Sequence, residues 1–188
     1  SKSREAGNRL REKDSIVGLG DVSWLRSEYA QGIDYYEQGL RICHEIGNYS
    51  AEGVIHNQLG LIYTELGNAE IARKHYEEGL KTEGDMGNMV ESGVLTYNLA
   101  SLLLQYQGEY SLAIANFASV RQQSEQLGHK EGVGYSNTQL GLVYRLLGQY
   151  ETAEKHDQAA IDTFESINDP RGRSLAMREL AALYLVLD

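Results

Sequence analysis

The sequence predicts an all-α protein built as a solenoid of antiparallel helix pairs. Three short sequence frames recur together with a period near forty residues. Inside each period the apolar residues fall three and four apart, the spacing of one helix face. The punctuation is glycine rather than proline, with 20 glycines and one proline, Pro170, in 188 residues. Glycine accepts the left-handed turn that ends a helix, so this usage suits many short helices.

The first frame is Leu59-Gly60-Leu61-Ile62-Tyr63, matched by Leu140-Gly141-Leu142-Val143-Tyr144 and in part by Leu19-Gly20, Leu99-Ala100 and Leu180-Ala181, at separations of 40, 40, 41 and 40 residues. The second is Tyr36-Glu37-Gln38-Gly39-Leu40, matched by Tyr76-Glu77-Glu78-Gly79-Leu80, by Phe117 to Arg121 and by Asp157 to Ile161. The third closes each unit at Glu45-Ile46-Gly47-Asn48, Asp85-Met86-Gly87-Asn88, Gln126-Leu127-Gly128-His129 and Ser166-Ile167-Asn168-Asp169. In the second unit Val54, Ile55, Leu59, Ile62, Tyr63 and Leu66 mark the first helix, Gly67-Asn68 breaks it, and Ile71, Ala72, Tyr76 and Leu80 mark the second. Small residues recur where the two helices must cross closely: Gly20, Gly60, Ala100, Gly141 and Ala181 on the first, Gly32, Ala72, Ala113 and Ala153 on the second. A helix-interior glycine costs about 1 kcal/mol relative to alanine, so its recurrence calls for a packing reason.

In chain order, Glu5-Ala6-Gly7-Asn8 lies forty residues before Glu45-Ile46-Gly47-Asn48, so residues 1–8 read as the tail of a preceding helix. Repeats follow over 9–48, 49–88, 89–129 and 130–169, and 170–188 reads as the first helix of a fifth. The extra residue of the third period falls in Leu104-Gln105-Tyr106-Gln107. One inserted residue cannot keep an α-helical register, so a bulge or widened turn is expected there. On the last helix Leu180, Leu183, Tyr184 and Leu187 form an apolar stripe with no following helix to cover it, which predicts self-association of the chain.

These frames resemble the tetratricopeptide repeat family, whose signature of Leu-Gly, a tyrosine three residues on, a Gly-x-Tyr turn and an alanine stands here as Leu140-Gly141, Tyr144, Gly148-Gln149-Tyr150 and Ala153. The usual repeat has about 34 residues and ends in proline, whereas these have about forty and end in glycine. Together with Glu52-Gly53 before Leu59-Gly60, that length is similar to the long repeats of Pins-type polarity adaptors and of bacterial regulators with tetratricopeptide arms. The resemblance implies a right-handed superhelical solenoid whose first helices line a concave groove for a partner peptide or helix.

Other function classes are disfavoured by composition. The formal net charge of −10 opposes a nucleic-acid partner, since neutralising phosphates takes clustered Lys and Arg. No run of about 18 apolar residues offers a membrane span and Ser1-Lys2-Ser3-Arg4 begins no signal peptide, so a cytoplasmic chain is expected. The single cysteine, Cys43, sits among Ile42 and Ile46 and reads as a buried thiol. His44, His56, His75, His129 and His156 lack metal-ligand spacing, and His75 and His156 are repeat equivalents. No phosphate-binding loop, catalytic constellation, metal site or cofactor site emerges, and no enzyme is expected.

The groove is expected to begin with Asp14, Val17, Gly18, Asp21 and Trp24 and to continue with Val54, Asn57, Gln58, Leu61 and Thr64. The third repeat adds Val94, Tyr97, Asn98 and Ser101, the fourth Tyr135, Thr138, Gln139, Leu142 and Arg145, and the last helix Arg178, Glu179 and Ala182. Gln58, Asn98 and Gln139 share one register, and amides that both donate and accept suit the backbone of a bound segment. Where Pins-type adaptors place arginines this chain has Val54, Val94, Tyr135 and Leu175, which leaves only Arg145 and Arg178 as a basic end. The expected partner is a protein or peptide; the alternative is a sensor arm of a larger signalling ATPase or transcriptional regulator.

Overall fold

The computed structural model describes residues 2–187, and among them every regular element is helical. The α-helices are α1 (Lys2–Leu25), α2 (Tyr29–Ile46), α3 (Glu52–Glu65), α4 (Ala69–Met86), α5 (Met89–Leu102), α6 (Tyr110–Leu127), α7 (Lys130–Leu146), α8 (Tyr150–Ser166) and α9 (Pro170–Leu187). The chain divides into two compact units, Ser1–Leu95 and Thr96–Asp188, with α5 passing from the first into the second. In the first unit α1 pairs with α2 and α3 with α4; in the second α7 packs against α6, α8 and α9.

The turns repeat at half the sequence period. Gly47, Gly67, Gly87, Gly108, Gly128 and Gly148 all adopt positive φ between 62° and 72°. At Gly47 the left-handed backbone lets Asn48 donate its N–H to the Cys43 carbonyl at 2.9 Å, closing the end of α2. The series continues at both ends with residues that carry a side chain, Ser27 at φ 60° and Asn168 at φ 54°.

The cores are built where the small residues allow close approach. Tyr36 lies across Gly20, where an added Cβ would stand 2.8 Å from Cε1, and Tyr76 lies across Gly60 more tightly still. In the first unit Tyr36, Cys43, Ile55, Leu59 and Ile62 form one buried cluster. In the second, Ala100, Ala113, Phe117, Leu140 and Val143 form the equivalent one, and Ala160, Ile161, Phe164 and Ala176 another. Leu59 and Leu140, equivalent in register, are 0% and 2% exposed. Cys43 is a buried free thiol, as its neighbours in the sequence imply, and burial raises its pKa.

The inserted residue of the third period is taken up as five residues of π-helix, Leu103–Gln107, which widen the end of α5 before Gly108. Two expectations need correction. The chain does not break at Gly7-Asn8, because α1 runs unbroken from Lys2. Glycine permits a left-handed turn without dictating one, and a continuous helix costs it only about 1 kcal/mol. Finally, Leu183 is fully buried and Leu180 packs against the cluster that holds Phe164, so half of the stripe expected to be bare on α9 is covered within the fold; Tyr184 and Leu187 stay exposed, with Leu185 and Val186 beside them.

Candidate functional site

In the first unit α1 and α3 offer one face between them. Asp14, Val17, Gly18, Asp21, Ala51 and Val54 line an open cleft of about 340 Å³ there, together with Lys13 and Ile55. Five of those residues, Asp14, Val17, Gly18, Asp21 and Val54, are among the ones expected to line the groove. Asp21 is a hub: its Oδ1 accepts a hydrogen bond from the Tyr36 hydroxyl at 2.6 Å and from Gln58 Nε2 at 3.4 Å. Burial, and then this bond and the Asp21 charge, drive the Tyr36 pKa well above its ordinary value. Lys13 is largely buried and its ammonium sits 2.8 Å from Asp14. Leu61 is half-buried beside this face.

The second unit brings its own set together. Gln139 Nε2 on α7 donates to the Tyr97 hydroxyl on α5 at 3.1 Å, and Tyr97 stands edge-on to Phe117 at 5.3 Å between ring centres. Burial raises the Tyr97 pKa and the bond from Gln139 works against it. Tyr135 makes the same edge contact with Phe164 at 5.0 Å. Asn98 is half-buried and already has a partner in the chain.

Two expected groove residues do not line an open surface. Asn57 and Thr138, equivalent in register, are 8% and 2% exposed, and the Thr138 hydroxyl turns back to donate to the Gly134 carbonyl at 3.1 Å. They sit one residue ahead of Gln58 and Gln139, and a rotation of about 100° per residue carries them into the helix contact. The basic end is also changed, since Glu179 accepts from Arg145 at 2.9 Å and from Arg178 at 3.3 Å. Both guanidinium groups therefore meet a carboxylate within the chain.

Other polar groups escaped the sequence reading. Asp157 occupies the register of Tyr36, Tyr76 and Phe117, is fully buried, and has no hydrogen-bond partner on either carboxylate oxygen. Burial, then the Glu179 charge, push its pKa up to about 7, with Arg145 pulling it down. Its place in the aromatic frame was the available signal. The equivalent histidines repeat a local arrangement: Tyr63 stacks on His75 at 7° and Tyr144 on His156 at 4°. His75 Nδ1 meets His56 Nδ1 at 3.1 Å, whereas His156 Nδ1 meets Asn137 Oδ1 at 3.0 Å. The His56 and His75 ring centres are 5.3 Å apart, so the two nitrogens point along the line between the rings, the geometry of one N–H···N bond whose donor is set by the tautomer.

Helix pairs joined by left-handed turns, most of them at glycine, with a small residue under the large side chain of the facing helix, define a helical-repeat protein. The profile of the tetratricopeptide repeat matches residues 14–82 and 92–166, and the chain belongs to that family. No curated protein matches it in sequence. Among solved structures it is similar to aspartyl phosphate phosphatase F from Bacillus subtilis, with a TM-score of 0.87 and 15% identity over 93% of this chain and 46% of that one. It is similar to a signal transduction ATPase with numerous domains and a tetratricopeptide repeat sensor from Pyrococcus horikoshii, with a TM-score of 0.84 and 18% identity over 94% of this chain and 28% of that one. The quorum sensor NprR from B. thuringiensis gives a TM-score of 0.74 and 16% identity over 95% of this chain and 50% of that one, and NprR is also solved in complex with its cognate peptide NprX. The chain thus spans half or less of the length of these proteins, and at such identities the likeness is one of fold. No helix among the described residues is long and apolar enough to cross a membrane.

Proposed function

We propose that this chain is a non-catalytic, cytoplasmic protein-interaction module that holds an extended peptide or helix of a partner on the faces of its first helices. Gln58 and Leu61 act in the first unit, and Tyr97, Asn98, Tyr135, Gln139, Arg145 and Arg178 in the second. The observation that carries the reading is the open cleft between α1 and α3, lined by residues whose register marks them as groove-facing. Gln58 and Gln139 each spend one N–H on a neighbour, which orients the amide and leaves its carbonyl for a partner backbone. That one similar structure, NprR, is solved with a cognate peptide supports the same reading. The second reading, a sensor arm within a larger regulator, is favoured by the likeness to the tetratricopeptide repeat sensor of the Pyrococcus ATPase, of which this chain spans 28%.

Selection of a phage-displayed random decapeptide library on the chain tests the proposal. Enriched peptides, resynthesised and titrated, should bind Asn98→Ala/Gln139→Ala about tenfold more weakly, the effect of two lost hydrogen bonds, with unchanged helical content. Lys74→Ala/Glu78→Ala on α4 should leave affinity within about twofold. The opposite pattern would place the ligand on the second helices and overturn the assignment.

A further inference from the structure

The α1–α3 cleft is lined by the apolar Val17, Val54 and Ile55, yet Lys13, Asp14 and Asp21 also line it from α1. These two carboxylates are not equivalent. Asp14 is met at 2.8 Å by the Lys13 ammonium. Asp21 receives the neutral donors of Tyr36 and Gln58, both on Oδ1, and forms no ion pair among the described residues, Lys13 being turned to Asp14. Between the two acids, on the same helix, lies Gly18. A Cβ at Gly18 would meet nothing within 4 Å, in contrast to Gly20, which a tyrosine ring overlies. Glycine is a poor helix former, and packing does not require it at position 18; what its missing side chain does is keep the floor of the cleft bare. A bare helix backbone flanked by apolar walls and ending at an uncompensated carboxylate fits a long side chain with an aliphatic stem and a cationic head. An acidic side chain would meet the unpaired charge of Asp21, and a purely apolar one would bury that charge without a counter-ion.

We infer that the α1–α3 cleft is a specificity pocket for one lysine or arginine of the bound partner, its stem lying over Gly18 between Val17 and Val54 and its head pairing with Asp21. This rests on the proposal that the first-helix faces hold a peptide. The charge agrees with the rest of the chain: the net charge is −10, and Arg145 and Arg178, the two cations expected on the first-helix faces, are both engaged by Glu179.

The test uses the displayed decapeptide library. Peptides enriched on the wild-type chain should share a lysine or arginine at one aligned position. Replacing that residue by norleucine, which keeps the stem and removes the charge, should weaken binding about tenfold on the wild-type chain and about twofold or less on Asp21→Asn, which keeps the Oδ1 acceptor. Gly18→Leu, whose Cβ meets nothing within 4 Å and whose branch enters the cleft, should weaken the parent peptide about tenfold while circular dichroism shows unchanged helix; Gly18→Ala, the milder variant, should weaken it less. The pocket assignment falls if the enriched peptides share no basic residue, or if the norleucine penalty persists on Asp21→Asn. If those same peptides still lose affinity on Asn98→Ala/Gln139→Ala, the groove reading survives that failure. A library from which no peptide is enriched overturns both.

Discussion

Ser27 carries a side chain where six other turns of the chain place glycine, and it holds φ at 60°. A left-handed backbone costs an L-residue with a Cβ about 1–2 kcal/mol, of which the greater freedom of glycine in the unfolded chain takes back a part. Ser27→Gly should therefore stabilise the protein by up to about 1 kcal/mol, read as a rise of roughly 2 to 4 °C in melting temperature by calorimetry. An unchanged or lowered midpoint would show that the serine is held by more than its turn. Asn168, at φ 54°, has less to gain, because asparagine tolerates this region better than serine. These two positions also show how far single residues are legible. The twenty-residue spacing of the turns places both, but the glycine signal that reveals the other six is absent from them.

At the scale of elements, the His56–His75 contact joins α3 to α4, and its counterpart Asn137–His156 joins α7 to α8. A neutral imidazole pair holds one N–H···N bond between its Nδ1 atoms, whereas protonation of both rings puts two donors and two charges face to face. Burial lowers both pKa values, that of His75 to about 4, where the neighbouring His56 adds to the effect. Glu78 on α4 opposes the shift in both rings, and His44 on α2 deepens it in His56. The native state therefore binds protons less readily than the unfolded chain. Stability is full above the unfolded histidine pKa near 6.5 and falls as pH drops from there toward 4. Asp157 acts with the opposite sign: its raised pKa makes the folded state lose stability as pH rises toward 7. His56→Asn reproduces the Asn137 arrangement, in which a charged His75 keeps its bond. The variant should lose about 1 kcal/mol less than the wild-type chain between pH 7.5 and 5, allowing for solvent screening of these half-buried rings. Chemical denaturation at the two pH values measures it, and Asp157, common to both proteins, cancels in the difference. Equal losses would mean that the pair is not what titrates.

For the molecule as a whole, we propose that the apolar surface of α9 drives weak self-association. Tyr184, Leu185, Val186 and Leu187 are between 46% and 79% exposed, while Leu183 and Leu180 are already spent on the fold. A patch reduced in this way suits a concentration-dependent dimer more than a permanent one. Sedimentation velocity should show the apparent mass rising with concentration in the wild-type chain and staying monomeric in Leu185→Glu/Leu187→Glu. A strict monomer at high concentration in both proteins would refute the idea.

By itself the sequence determined the all-α class, the forty-residue period, the helix pairs and the place of the irregular third unit. These follow from local rules: apolar spacing selects a helix, glycine ends it, and an inserted residue must leave the α-register. It also marked the polar positions of the first-helix faces, such as Gln58 and Gln139. Only the tertiary structure decided which of those residues reach solvent and which charges remain unbalanced. Asn57 and Thr138 turn inward because helix contact, not residue type, sets their exposure. Glu179 engages an arginine 34 positions away, and Asp21 takes two donors from helices that the chain brings back beside it. Such pairings depend on distances across neighbouring helices of a few ångströms, and electrostatic and hydrogen-bond energies change steeply over that range, while the spacing of residues along a repeat leaves them open.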